Sequence, residues 1–328
     1  MSPLTVPVNL VYFGKVPSRG DFIRSANHAT LIHTLDQWLS QTVELMATDP
    51  RWKLVYDAAP PVQFAFLGSR STVGLAGHLI PSQDSSGRRF PFLTAGSFEV
   101  AQPLAFMARS PLALTRLWTR FENTARLAHQ ASHLSEVQQQ LSHTSVDLEI
   151  TAGAYEANFV DFLEMQTLAS LEQMLEQSGH RVSMRQTLLA LGMLLQPVLQ
   201  QGCSRLDKGL VLPLTRDPLY RPFIATLWLD LVSRFLRRSD CELAVFITRR
   251  QGRPSLVVGF HGASPRTLRA VLDAQAGHHE HVDFSRSQWV EDHVDEDYGV
   301  KKLSCYLREP QLSLRQSVET FREAFLGE

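Results

Sequence analysis

Short apolar runs and helically spaced apolar stripes alternate along the chain, and Gly, Pro, Ser and Asp mark the breaks between them. Residues 8–13 (VNLVYF) are β-branched and aromatic and stop at Gly14, which predicts a strand. The next segment, 14–21 (GKVPSRGD), is broken by Gly14, Pro17 and Gly20 and reads as a loop. From Leu31, apolar residues fall at Leu35, Trp38, Leu39 and Met46, a spacing that predicts an amphipathic helix. After Pro60-Pro61, runs at 62–68, 72–80 and 90–98 predict successive strands, with a tight turn at 68–71 and an exposed loop at 82–89. Ser110-Pro111 reads as the N-cap and first turn of a helix carrying Leu114, Trp118 and Phe121.

From about 126 to 204 the composition turns to Gln, His and Ser, followed by two helical patterns. One carries Phe159, Phe162, Leu163, Leu171 and Leu175 on one side; the other, through Leu188–Leu199, is apolar nearly all round. A second strand-and-helix pattern follows. Residues 209–214, 243–248 and 254–260 read as strands, the last two around a Gln-Gly-Arg turn. Between them Asp217-Pro218 opens a helix with Ile224, Leu227, Trp228, Leu231 and Phe235 on one stripe, and Ser264-Pro265 caps another through Leu268 and Leu272. Trp38, Trp118 and Trp228 fall on apolar stripes and read as core.

Charge narrows the function classes. The 328 residues hold 32 Lys+Arg against 33 Asp+Glu, a net charge of −1, which gives no support to a general nucleic-acid binder. No apolar run reaches membrane-spanning length, and the opening residues lack the basic start of a signal peptide, so a cytoplasmic location is expected. Cys203, Cys241 and Cys305 are odd in number and far apart, and read as reduced thiols rather than a disulfide framework.

The chemical motifs are few. His278, His279 and His281, with Glu280 and Asp283, offer metal-type donors, but neighbours on one strand or loop point apart, so a solvated polar loop is expected and no metal. The acidic run at 291–297 likewise reads as a solvated loop. No G-x-S-x-G, G-x-G-x-x-G or phosphate-loop motif is present, so no catalytic residue, cofactor or enzymatic activity is expected. The 14–21 loop sets Lys15, Ser18 and Arg19 where cations and backbone N–H groups hold an anion. It has a second reading, in which Gly14 and Gly20 shape the turn and Arg19 or Arg24 pairs with Asp21.

The same loop resembles a family. Tyr12-Phe13-Gly14-Lys15-Val16-Pro17-Ser18-Arg19-Gly20-Asp21-Phe22 is similar to the opening of the TagF (ImpM-type) proteins associated with bacterial type VI secretion. The family's Asp-x-Trp-Leu helix is matched by Asp36, Trp38 and Leu39. The similarity continues through Trp52, Tyr56, Pro60, Phe64, Gly74 and Gly77 to Pro81-Ser82, Asp84, Gly87-Arg88 and Phe90-Pro91-Phe92.

The resemblance implies an α/β fold, a three-layer α/β/α sandwich with a mixed sheet. Residues 1–125 and 205–328 are then two parts of one domain, enlarged by a mostly helical insertion at 126–204; the alternative is two separate domains split near 145–205. It implies a non-enzymatic, cytoplasmic post-translational repressor that binds and sequesters the forkhead-associated (Fha) scaffold protein of the secretion system, with no nucleic acid and no membrane insertion. Partner contact, or a structural signature, is expected at Gly14, Lys15, Pro17, Ser18, Arg19, Gly20, Asp21, Asp36, Trp38 and Arg88. The alternative is an anion- or nucleotide-binding sensor or enzyme using the Gly14–Asp21 loop.

Overall fold

Strand pairing fixes the architecture of the computed structural model, which describes residues 4–151, 153–203 and 206–328. In chain order the strands are β1 (Thr5–Asn9), β2 (Val11–Gly14), β3 (Ile23–Arg24), β4 (Val62–Gly68), β5 (Val73–Ile80), β6 (Phe92–Glu99), β7 (Ser145–Glu149), β8 (Gly209–Pro213), β9 (Glu242–Arg250), β10 (Arg253–Gly259) and β11 (His281–Asp283). Among the described residues nine of them form one sheet, in the order β11-β8-β10-β9-β4-β5-β6-β2-β3. Neighbours are antiparallel except β11 and β8, which run parallel, so the sheet is mixed.

Helices cover both faces. They are α1 (Ala29–Ala47), α2 (Trp52–Asp57), α3 (Pro103–Ala113), α4 (Thr115–Gln130), α5 (Ser135–His143), α6 (Glu156–Met165), α7 (Leu168–Gln177), α8 (Met184–Leu195), α9 (Val198–Gln201), α10 (Arg221–Phe235), α11 (Pro265–Leu272), α12 (Gly277–Glu280), α13 (Tyr298–Tyr306) and α14 (Leu314–Leu326). One face packs α1, α2 and α11 through Trp38, Leu39, Tyr56 and Leu268 onto Phe64 and Phe246. The other packs α3, α4, α8, α10 and α14 through Trp118, Leu189, Trp228 and Phe321 onto Ala65, Leu67 and Ala76. Alternation along each strand sends successive side chains to opposite layers, which is why each face has its own apolar set. The result is the three-layer α/β/α sandwich.

The 126–204 stretch holds α5 to α9, and Leu141, Phe159, Leu171 and Leu189 all enter the same core layer as α10 and α14. It also contains a strand, β7, which pairs antiparallel with β1 in a second, two-stranded sheet. The boundary expected at 204–205 lies outside the described residues.

Several expectations are corrected. Residues 8–13 are not one strand: the chain changes sheets at Leu10, whose N–H bonds Thr144 O at 2.9 Å. Val8 turns onto β6 at Gly96, where a Cβ would lie 2.4 Å from the Val8 side chain. Ser110 and Pro111 do not open a helix. Pro103 at the first turn of α3 starts that helix earlier, Ser110 Oγ bonds Met107 O, and the break falls at Leu114. Pro111 supplies no N–H to the ladder, so α3 ends soon after it. The histidine cluster is solvated at His278 and His279, which are exposed, but it is not a loop and not solvated throughout. His278 and His279 sit in α12, and His281 is buried in β11 against Gly209 of β8. Residues 291–297 are exposed as expected except at Val294, but they are mostly short 3-10 turns, and Glu291 is bound by Arg185 (Nη2–Oε2 2.8 Å). Cys203 and Cys241 are not free thiols but a disulfide with Cα atoms 6.1 Å apart.

A charged hub ties three helices of the second layer together. Asp230 on α10 is nearly fully buried and accepts from Arg109 of α3 (2.7 Å), Arg234 of α10 (3.2 Å) and Arg322 of α14 (2.9 Å). Burial raises its pKa, but the Arg234 and Arg109 charges and hydrogen bonds outweigh it, and the carboxyl is held below the usual range.

Candidate functional site

The 14–22 loop leaves the sheet at Gly14, which has φ +132° and lies so close to the neighbouring strand that a Cβ would meet Pro91 O at 2.0 Å. Only glycine fits both the backbone angle and the space. The turn throws Lys15 back beneath the loop, where it is buried. Its Nζ donates to Asp84 Oδ2 at 2.9 Å and lies 5.0 Å from the centre of the Phe22 ring.

Asp84 comes from the 82–89 loop, and its buried carboxylate holds the two loops together. Oδ1 accepts from the N–H and hydroxyl of Ser86 and from the N–H of Arg88; Oδ2 accepts from Lys15 and from Arg88 Nε at 2.7 Å. Burial raises this carboxyl's pKa. The hydrogen bonds from Lys15, the Arg88 N–H, Ser86 and the Arg88 side chain outweigh that and hold it well below the carboxylate range. Around this centre the loops are bonded backbone to backbone, Ser85 N–H donating to Arg19 O at 2.8 Å, and Arg88 Nη2 donates to Gly20 O. Ser82 Oγ donates to Lys15 O at 2.7 Å and Ser82 N–H to Tyr56 Oη at 3.0 Å, so the clasp is anchored to α2. Arg89 adds a bidentate pair to Asp57 at 2.6 and 2.7 Å.

The outer face of this clasp carries Pro17, Arg19, Gly20, Asp21 and Arg88, all exposed. Phe22, 45% exposed, stacks on Phe13 at 5.4 Å and meets Phe90 edge-on at 4.8 Å, which fixes an aromatic ring at the surface. Among the described residues neither Arg19 nor Arg24 forms an ion pair with Asp21, and the Ser18 hydroxyl is buried without a partner.

The sequence-expected residues therefore divide. Gly14 and Lys15 build the clasp from within, while Pro17, Arg19, Gly20, Asp21 and Arg88 form its surface. Asp36 and Trp38 lie elsewhere. Asp36 accepts from Ser40 on α1, and Trp38 is buried against Phe64 and Phe66. Asp84, Tyr56, Ser82 and Phe22 were not expected to act here. The Pro-Ser-x-Asp-x-x-Gly-Arg spacing was the signal for Asp84: a carboxylate two and four residues ahead of two backbone N–H groups folds a loop over itself. An anion site at this loop would need Lys15 and Arg88 aimed at a ligand, and both are aimed at Asp84.

Among the described residues no group of three His, Cys, Asp or Glu side chains is arranged to hold a metal ion, and no helix is long and apolar enough to cross a membrane.

No curated protein matches the chain. A crystal structure of PA0076 from Pseudomonas aeruginosa PAO1 is similar at 19% identity over 43% of this chain and 65% of that one, with a TM-score of 0.35. The chain thus spans less than two thirds of that protein, and the likeness is too weak to carry fold or function. Residues 11–144, which contain the whole clasp, match the family described as the TagF N-terminal domain, type VI secretion system-associated. This part of the chain is thus a TagF N-terminal domain, of the kind associated with type VI secretion.

Proposed function

We propose that this protein is a non-enzymatic, cytoplasmic accessory protein of bacterial type VI secretion. It acts after translation as a repressor, binding and sequestering the forkhead-associated scaffold protein. The observation that carries the reading is the clasp in residues that match the TagF domain. Its buried charges are consumed internally on Asp84, while Arg19, Asp21, Phe22 and Arg88 are presented outward on a fixed base. A rigid aromatic ring flanked by a cation and a carboxylate is the composition of a protein-recognition patch. The core layer on one face of the sheet, which draws on all three parts of the chain, supports one domain rather than two. Co-purification of the full chain with the scaffold protein of the same cell tests the reading. Stable association at micromolar concentration supports it, and the absence of association overturns it.

A further inference from the structure

A second site lies on the opposite layer, lined by none of the clasp residues. A cleft of about 350 Å³ opens where β4, β5 and β9 meet α4 and the start of α10. Three guanidinium groups line it, those of Arg216, Arg221 and Arg249, with the carboxylate of Glu122 and the imidazole of His78.

Several arginines of the fold are spent on carboxylates, and these three are not. Arg88, Arg89, Arg109 and Arg185 each meet a carboxylate. Among the described residues, Arg216, Arg221 and Arg249 form no salt bridge. Arg216 and Arg221 donate only to backbone oxygens, those of Gly252, Thr215 and Arg216, and the Arg249 side chain donates to nothing. Burial and then the charge of Arg249 lower the pKa of Arg221, and the more distant charges of Glu122 and Asp217 only partly offset them. Glu122 is engaged by the Gln63 amide at 3.2 Å and leaves the cleft with a surplus of positive charge.

His78 gives the second sign. It is 2% exposed on β5, between Gln63 of β4 and Thr94 of β6, and its Nδ1 has no hydrogen-bond partner. Buried polar atoms are nearly always bonded, so an unpartnered nitrogen in the wall of a cationic cleft is a group with hydrogen-bonding capacity left for a ligand or water there. The ring is neutral at pH 7, because burial pushes its pKa down to about 4 despite Glu122, so it presents one N–H without adding charge.

We infer that this cleft binds a small phosphomonoester, its dianion held by Arg249 and Arg221 with Arg216 at the rim and His78 beneath. Guanidinium forks match phosphate oxygens in pairs, and a doubly charged group relieves the repulsion between two cations that a carboxylate would relieve only in part. The volume suits a small molecule.

Isothermal titration of the full chain with sodium phosphate, phosphoserine, AMP and adenosine tests this, beside the Arg249→Ala and Arg249→Glu variants. Arg249 is exposed and its side chain bonds nothing among the described residues, so both variants should keep the wild-type fold. Binding of AMP or phosphoserine is expected, weakened about tenfold or more in Arg249→Ala and further in Arg249→Glu. If phosphate alone binds as tightly, free phosphate is the source; tighter monoesters identify an organic phosphate. Adenosine binding like AMP, equal affinity in the variants, or no heat at millimolar ligand overturns the inference. Scaffold binding through the clasp is expected to be the same in the Arg249 variants, so failure here is distinguishable from failure there.

Discussion

Lys15 and Asp84 meet at 2.9 Å across 69 residues of sequence, and this buried pair joins the two loops that form the outer face of the clasp. The pair is structural, so its loss should act on folding first and on recognition only through folding. Asp84→Ala leaves Lys15 buried without its anion, and Lys15→Met leaves Asp84 with Arg88 as its only cation. The expected order of urea midpoints is wild type, then Lys15→Met, then Asp84→Ala. An Asp84→Ala variant as stable as wild type would remove the clasp's central bond from the account.

Asp230 offers a stability test away from the clasp. Asp230→Ala leaves Arg109, Arg234 and Arg322 facing one another without their shared acceptor. A loss of roughly 3–5 kcal/mol in urea unfolding, with unchanged denaturant slope, is expected. A loss below about 1 kcal/mol would show that the arginines find other partners.

Acid should destabilise the protein in two steps. His78 and His281 are buried, with pKa values pushed down to about 4. The unfolded chain therefore takes up protons before the folded one, and stability falls as pH drops from about 6.5 toward 4. Asp84, Asp230 and Glu291 are also shifted down, but for a carboxyl the shift favours the charged form, so their folded forms stay ionised below the usual carboxylate range. Their contribution is complete above about pH 4 and is lost below it. Chemical denaturation at pH 7, 5.5 and 4 should show the first step, reduced in His78→Gln. Flat stability from pH 7 to 5 would contradict it.

The Cys203–Cys241 disulfide closes a span of 38 residues. By chain entropy such a loop is worth about 4 kcal/mol, so dithiothreitol or the double Cys→Ser variant should lower the melting temperature. A melting curve that ignores reductant would show the bridge absent in solution.

Much of the sandwich was legible in the sequence because its signals are local. β4, β5, β6, β9 and β10 are apolar runs with turn residues at their ends, and α1 and α10 carry regular stripes. What was not legible depends on distant partners. Leu10 ends one strand and starts another because Thr144 and Gly96 draw β1 away, and nothing in 8–13 encodes either. Ser110-Pro111 has the chemistry of a helix start, but Pro103 had already begun the helix. The cysteine pairing joins the end of α9 to the start of β9, an encounter that spacing alone does not reveal. At the clasp the 14–21 and 82–89 loops do come together, and Arg19 and Arg88 reach the surface. Lys15 reads as an exposed cation until Asp84 is placed beneath it. Trp38 and Asp36 share the family motif but serve α1, Trp38 by packing on Phe64 and Phe66 and Asp36 by accepting from Ser40, not the clasp.

The most direct test of the central claim is a calorimetric titration of the full chain into the forkhead-associated scaffold protein of the same cell, repeated with Arg19→Glu. The side chain of Arg19 is exposed and bonds nothing among the described residues, so the variant should melt like wild type. Micromolar or tighter binding by wild type, weakened about tenfold or more by Arg19→Glu, is the predicted result. No binding by wild type, or equal binding by a folded Arg19→Glu variant, would contradict recognition through the clasp.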